Sequence, residues 1–103
     1  MKTTPGSACP PLRREMLPQP VDVRAPAHLD RLAATRLAQA KAQELHPEVM
    51  LLAWFDRGTG EFSPPIPCCH EEMPGWLAYA LSRGAEVIIS INSEQFVFAF
   101  KKL

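Results

Sequence analysis

No run of this 103-residue chain is apolar for long enough to span a bilayer, and no apolar stretch follows Lys2 as a secretory leader requires. A cytoplasmic protein without membrane contact is the expectation. Net charge is also missing. Lysine plus arginine and aspartate plus glutamate number 11 each, so no overall field favours nucleic acid, an anionic membrane or an acidic substrate. The balance conceals a mild dipole, because residues 1–47 hold seven basic groups against four acidic and residues 48–103 hold four against seven. Aromatic residues make up only 8% of the chain and do not interleave with basic ones, which argues against a single-strand nucleic-acid binder. Cysteines number three, an odd count that, without export, leaves reduced thiols in place of a disulfide framework. Gly58-Thr59-Gly60 is followed by no Lys-Ser/Thr pair, which excludes a phosphate loop, and no serine-triad signature occurs.

What is present is enough apolar material, 47% of residues against 21% charged, for one modest core. Residues 1–27 carry Pro5, Pro10, Pro11, Pro18, Pro20 and Pro26 with few large apolar groups, which predicts an extended, flexible arm ahead of a single domain over 28–103. From His28 to Leu45 the residues Leu29, Leu32, Ala33, Leu37, Ala40 and Leu45 recur at helical spacing, with Asp30 near the start and Pro47 after the end. Val49 to Phe55 reads as a strand, turned by Asp56-Arg57-Gly58-Thr59-Gly60 into a second strand at Glu61-Phe62. Ser63-Pro64-Pro65-Ile66-Pro67 cannot donate a full hydrogen-bond ladder, so that second strand ends early. Pro74 to Arg83 predicts a short helix capped by Gly84.

Glu86 to Asn92 and Gln95 to Lys101 alternate, which puts Val87, Ile89 and Ile91 on one face of a strand and Phe96, Phe98 and Phe100 on one face of the next. A loop with an even residue count, about two near Ser93, keeps both triplets on the same side. The order α-β-β-α-β-β predicts an α+β fold: a four-stranded, mainly antiparallel sheet with two helices on its phenylalanine face. The other face would then carry Met50, Leu52, Trp54, Ile88, Val97 and Ala99, too apolar to stand in water. A homodimer partner, a ligand or the folded-back arm would cover it.

Met50-Leu51-Leu52-Ala53-Trp54-Phe55-Asp56, then Thr59-Gly60-Glu61-Phe62-Ser63-Pro64-Pro65, Cys68-Cys69, and Pro74-Gly75-Trp76 with Tyr79-Ala80 and Ser82-Arg83-Gly84 carry a resemblance. Over roughly residues 28–101 the chain resembles a family of small prokaryotic proteins, prominent in anaerobes, that is known as a domain of unknown function. The resemblance implies an α+β fold and no assigned activity, and the arm departs from the family pattern.

Cys68-Cys69-His70-Glu71-Glu72 is where soft, titratable and acidic groups lie side by side. Neighbouring α-carbons stand about 3.8 Å apart, while disulfides prefer roughly 4.4–6.8 Å, so a Cys68–Cys69 bridge would be strained and readily reduced. Two thiols with His70 and either Glu71 or Glu72 are acceptable donors for zinc or a softer ion such as Cu(I), although the C-x2-C spacing that lets two sulfurs converge is absent. Unreactive cysteines are the bland reading of the pair, and for the two thiols taken alone the favoured one. Glu71 and Glu72 also suit the positive end of the helix that follows. Trp76 and Tyr79, one turn apart, could wall a site beside the cysteines, and Arg83 could either serve the helix C-terminus or pair an anion. A non-enzymatic ligand, soft-metal or thiol-redox module centred on Cys68, Cys69 and His70 is the leading expectation. The alternative is a homodimeric interaction domain using the apolar sheet face.

Overall fold

Phenylalanines at alternate positions 96, 98 and 100 set the layering of the molecule. They belong to the last of five strands, β1 (Val21–Val23), β2 (Val49–Asp56), β3 (Glu61–Ser63), β4 (Ala85–Ile91) and β5 (Phe96–Lys102), and two helices, α1 (Arg31–Leu45) and α2 (Gly75–Ser82), complete the fold. The computed structural model describes residues 11–66 and 73–103. The sheet runs β1-β4-β5-β2-β3, with β1 parallel to β4 and the remaining neighbours antiparallel. This is an α+β fold on a mixed five-stranded sheet.

The expected four strands gain a fifth because Val21-Asp22-Val23, assigned to the arm on its prolines, is a short β-prone run that pairs with Ile89, Ser90 and Ile91. The helices do not share a face. α1 packs against Phe96, Phe98 and Phe100, together with Val87, Ile89 and Ile91. α2 packs through Trp76, Leu77 and Ala80 on the opposite face against Ala53, Ile88, Val97 and Ala99. Two apolar faces need two covers, and one layer of helices cannot supply both.

The seam of α1 is Ala34, Ala38 and Ala42, all fully buried, while Leu32 and Leu45 are 62% and 51% exposed. Large rings already fill the space above β5, so the helix approaches through its small side chains. α1 begins three residues later than its apolar pattern suggests because Asp30 is its N-cap, accepting from the Ala33 N–H at 2.8 Å.

β2 contains a bulge. Leu51 pairs with Phe100 and Ala53 with Ala99, leaving Leu52 as the extra residue. The bulge reverses the alternation downstream, so Ala53 and Phe55 join the α2 side and Trp54 joins the α1 side. At the β4–β5 connection, Ile91 pairs with Phe96 across a four-residue loop, even in count as expected but longer than two. Asn92, Ser93 and Glu94 all adopt left-handed backbone there, with φ of 52°, 55° and 68°.

Candidate functional site

Cys68, Cys69, His70, Glu71 and Glu72 lie outside the described residues. The chain on either side of them is fixed. β3 pairs with the end of β2 through Glu61, Phe62 and Ser63. Past the segment, Met73 packs against the α2-side core and Pro74 caps α2. Among the described residues no group of three or more His, Cys, Asp and Glu side chains is arranged to hold a metal ion.

The side chains expected to wall this site divide. Trp76 is 2% exposed and stacks on Phe55 with ring centroids 5.5 Å apart, which makes it core. Tyr79 is half-buried, and the Arg83 guanidinium lies 4.9 Å over its ring at the surface. Tyr79 and Arg83 therefore form a pair on the outer side of α2, away from the Trp76 stack.

The six residues expected on an open sheet face divide as well. Ile88, Val97 and Ala99 lie at 0–1% exposure beneath α2 and the leucines Leu12 and Leu17. The bulge residue Leu52 packs against the same cluster, and Trp54 faces α1. Only Met50, 44% exposed, stands in solvent. The face is closed by the second helix and by part of the segment that composition assigned to the arm.

The polar chemistry of the described residues gathers at one end of the sheet, where the β2–β3 and β4–β5 turns meet. Arg57 joins them, its backbone N–H donating to the Gln95 carbonyl at 2.9 Å and its Nε to the Glu94 carbonyl at 3.1 Å. A cleft of about 280 Å³ lies on one side of the junction, lined by Arg14, Asp22, Arg24, Asn92, Ser93 and Glu94. The Arg14 guanidinium forks onto both Asp22 oxygens at 2.7 and 2.8 Å and donates to Glu94 Oε2 at 2.8 Å. That fork holds the Asp22 carboxyl below its ordinary range and pushes the Arg14 guanidinium above its own. Glu94 also accepts from Ser90 Oγ at 2.7 Å.

On the other side is a cleft of about 360 Å³ bounded by Leu29, Asp30, Arg31, Asp56, Glu61 and Phe96. Arg31 lies 4.4 Å over the Trp54 ring, donates to Glu61 and stands 3.8 Å from Asp56 Oδ2. Its hydrogen bond keeps the Glu61 carboxyl below the usual value. Asp56, 7% exposed, spends Oδ1 on the Gly58 and Thr59 N–H groups at 3.0 and 3.4 Å, which builds the turn. Arg14, Asp22 and Glu94 in the first cleft and Arg31, Asp56 and Glu61 in the second are thus engaged with one another, and a ligand at either set would have to displace a protein partner.

None of these clefts was expected from the sequence. Arg14 and Glu94 are 80 residues apart. The available signal was the polarity of two turns, Asp56-Arg57-Gly58-Thr59-Gly60 and Asn92-Ser93-Glu94, which marks loops of any purpose.

Comparisons with known proteins agree with this architecture. A family model described as a domain of unknown function (DUF5619) matches residues 18–100, a span that takes in β1. An uncharacterised protein of Archaeoglobus fulgidus is 41% identical over 49 residues, a match that covers 48% of this chain and 52%, about half, of that protein. The crystal structure of AF1514, described as a novel protein from Archaeoglobus fulgidus, superposes with a TM-score of 0.70 at 32% identity, covering 82% of this chain and 93% of the other.

Proposed function

The chain belongs to the DUF5619 family, whose description carries no activity, and we propose that it is a non-enzymatic binding module whose ligand-contacting element is Cys68-Cys69-His70. The observation that carries this reading is that the charged clusters lining the two clefts are mutually engaged: Arg14 with Asp22 and Glu94, and Arg31 with Asp56 and Glu61. Those groups serve the fold. Two thiols and an imidazole in succession are the only run of adjacent soft donors in the sequence, and in chain order they fall between β3 and α2, in the kind of connecting segment that commonly carries binding residues.

The donor types select the ligand class. Thiolates with an imidazole suit a soft or borderline metal ion such as Cu(I) or zinc, and a vicinal pair suits reversible thiol chemistry. The test is metal analysis and thiol counting on protein purified without reductant. A stoichiometric metal or a dithiothreitol-labile disulfide, lost in both Cys68→Ser and Cys69→Ser, is the expected result. Three freely titrating thiols, Cys9 included, with no metal after incubation with zinc or with Cu(I) under reducing conditions would overturn the reading.

The homodimeric alternative has lost its main support, since three of its six residues lie in the core.

A further inference from the structure

The α2 side of the sheet is sealed by residues that precede β1. Leu12 and Leu17 are 6% and 4% exposed and belong to one cluster with Trp76, Ile88 and Val97. Between them the 3-10 turn Arg14–Met16 directs Met16 onto the same cluster and Arg14 outward. Arg14 reaches across to Asp22 on β1 and to Glu94 at the β4–β5 turn, so one guanidinium fastens the segment to two separate elements.

The manner of attachment differs from that of every strand in the sheet. The backbone hydrogen bonds of the turn, Met16 N–H to the Arg13 carbonyl and Leu17 N–H to the Arg14 carbonyl, each 2.9 Å, close within the segment itself. Among the described residues, what ties it to the body is two leucines, a methionine and Arg14. β1, by contrast, has its own ladder to β4, extended by the Asn92 N–H to the Val23 carbonyl and the Ala25 N–H to Asn92 Oδ1, both at 2.9 Å. Among the described residues, 11–17 can therefore leave without breaking a sheet hydrogen bond.

A hinge lies at the junction. Pro18-Gln19-Pro20 separates Leu17 from β1, and Gln19 sits at φ 48°, a left-handed conformation unfavourable for a residue with a Cβ. Opening strands no charge. Glu94 Oε2, which accepts from both Arg14 and Ser90, would keep the Ser90 hydrogen bond and take water in place of Arg14, and Asp22, already exposed, would be solvated by water.

We infer that residues 11–17 are a strap, hinged at Pro18–Pro20 and pinned by Arg14, that opens as a unit and uncovers an apolar seat beside α2 while the sheet stays folded. The seat's occupant is the strap's own pair of leucines, so the device controls exposure of the Ile88 and Val97 region. It does not depend on the chemistry of Cys68-Cys69-His70. Local opening of this kind has a distinct signature in hydrogen exchange, because amides released by it exchange far ahead of amides released only by global unfolding.

The test is hydrogen exchange by mass spectrometry on the full chain, comparing wild type, Arg14→Ala and Arg14→Lys. The Met16 and Leu17 amides, which donate the backbone hydrogen bonds of the segment, are expected to exchange at least tenfold faster than those of β4 and β5 in the wild type. In Arg14→Ala they should accelerate about tenfold further while β4 and β5 keep their protection, with Arg14→Lys intermediate because it keeps the charge and loses the fork. The proposal is overturned by equal protection of Met16, Leu17 and β5 in the wild type, by no acceleration in Arg14→Ala, or by a parallel loss of protection across β4 and β5 in both variants.

Discussion

Phe55 and Trp76 stack with their ring planes 4° from parallel and their centroids 5.5 Å apart, one ring from β2 and the other from the first turn of α2. This contact fixes the helix that follows the cysteine segment to the sheet. The bulge at Leu52 makes it possible, because without the extra residue Phe55 would point to the α1 side. Trp76→Ala should therefore behave as a core deletion, costing about 3–5 kcal/mol in urea unfolding, and Trp76→Phe should recover much of that. A Trp76→Ala protein with unchanged unfolding midpoint would mean that the ring is dispensable to the core.

The α1 seam makes an opposite prediction to the apolar pattern of its sequence. Ala38 is fully buried against the β5 phenylalanines, whereas Leu32 is 62% exposed. Ala38→Leu should destabilise by about 1–3 kcal/mol through overpacking, and Leu32→Ala should shift stability by no more than about 0.5 kcal/mol. Thermal or urea unfolding of the two variants checks both. Had the large residues formed the seam, the order would reverse.

These particulars explain what could be read from the chain and what could not. Strand alternation from Val87 to Ile91 and from Phe96 to Phe100 is a property of neighbouring residues, so the central hairpin and the shared face of its two triplets were legible. The alanine seam was not, because hydrophobic periodicity weights large side chains and the fit to a phenylalanine layer is a tertiary fact. β1 was obscured by the prolines around it, although the three residues themselves are β-prone or turn outward. Cys68, Cys69 and His70 are candidate donors by their adjacency in the sequence, and they lie outside the described residues. The ion-pair clefts were not legible, since Arg14 to Glu94 and Arg31 to Glu61 are long-range pairs that no local spacing encodes.

Acid should loosen both clefts. The Asp22 carboxyl is held below its ordinary value chiefly by its hydrogen bond from Arg14, and the Glu61 carboxyl by its hydrogen bond from Arg31. A carboxyl whose folded value is depressed binds its proton more readily in the unfolded chain. Its stabilisation is complete above the unfolded value, about 4, and is lost as pH falls through the folded one. The expected outcome is an unfolding midpoint that is flat from neutral pH to about 5 and declines below about 4. The decline should be shallower in an Asp22→Asn, Glu61→Gln double variant. Because both groups are solvent-exposed, the effect should also shrink in high salt. An identical decline in the double variant would assign acid sensitivity to other groups.

The β4–β5 turn offers a stabilising substitution. Asn92, Ser93 and Glu94 share left-handed backbone, and none of them is glycine. Asn92 is a residue type that tolerates this region, and it holds the Ala25 N–H; Glu94 is tied to Ser90 and Arg14. Ser93, exposed at φ 55°, has a Cβ that makes this conformation unfavourable. The left-handed penalty for a residue with a Cβ is roughly 1–2 kcal/mol, while the extra unfolded-state freedom of glycine costs about 0.5–1 kcal/mol. The first exceeds the second, so Ser93→Gly should stabilise the protein by about 0.5–1 kcal/mol in urea unfolding. Ser93→Val, whose β-branched side chain resists the same region, should destabilise it. Equal stability of the glycine and valine variants would show that the turn relaxes out of the left-handed region at no cost.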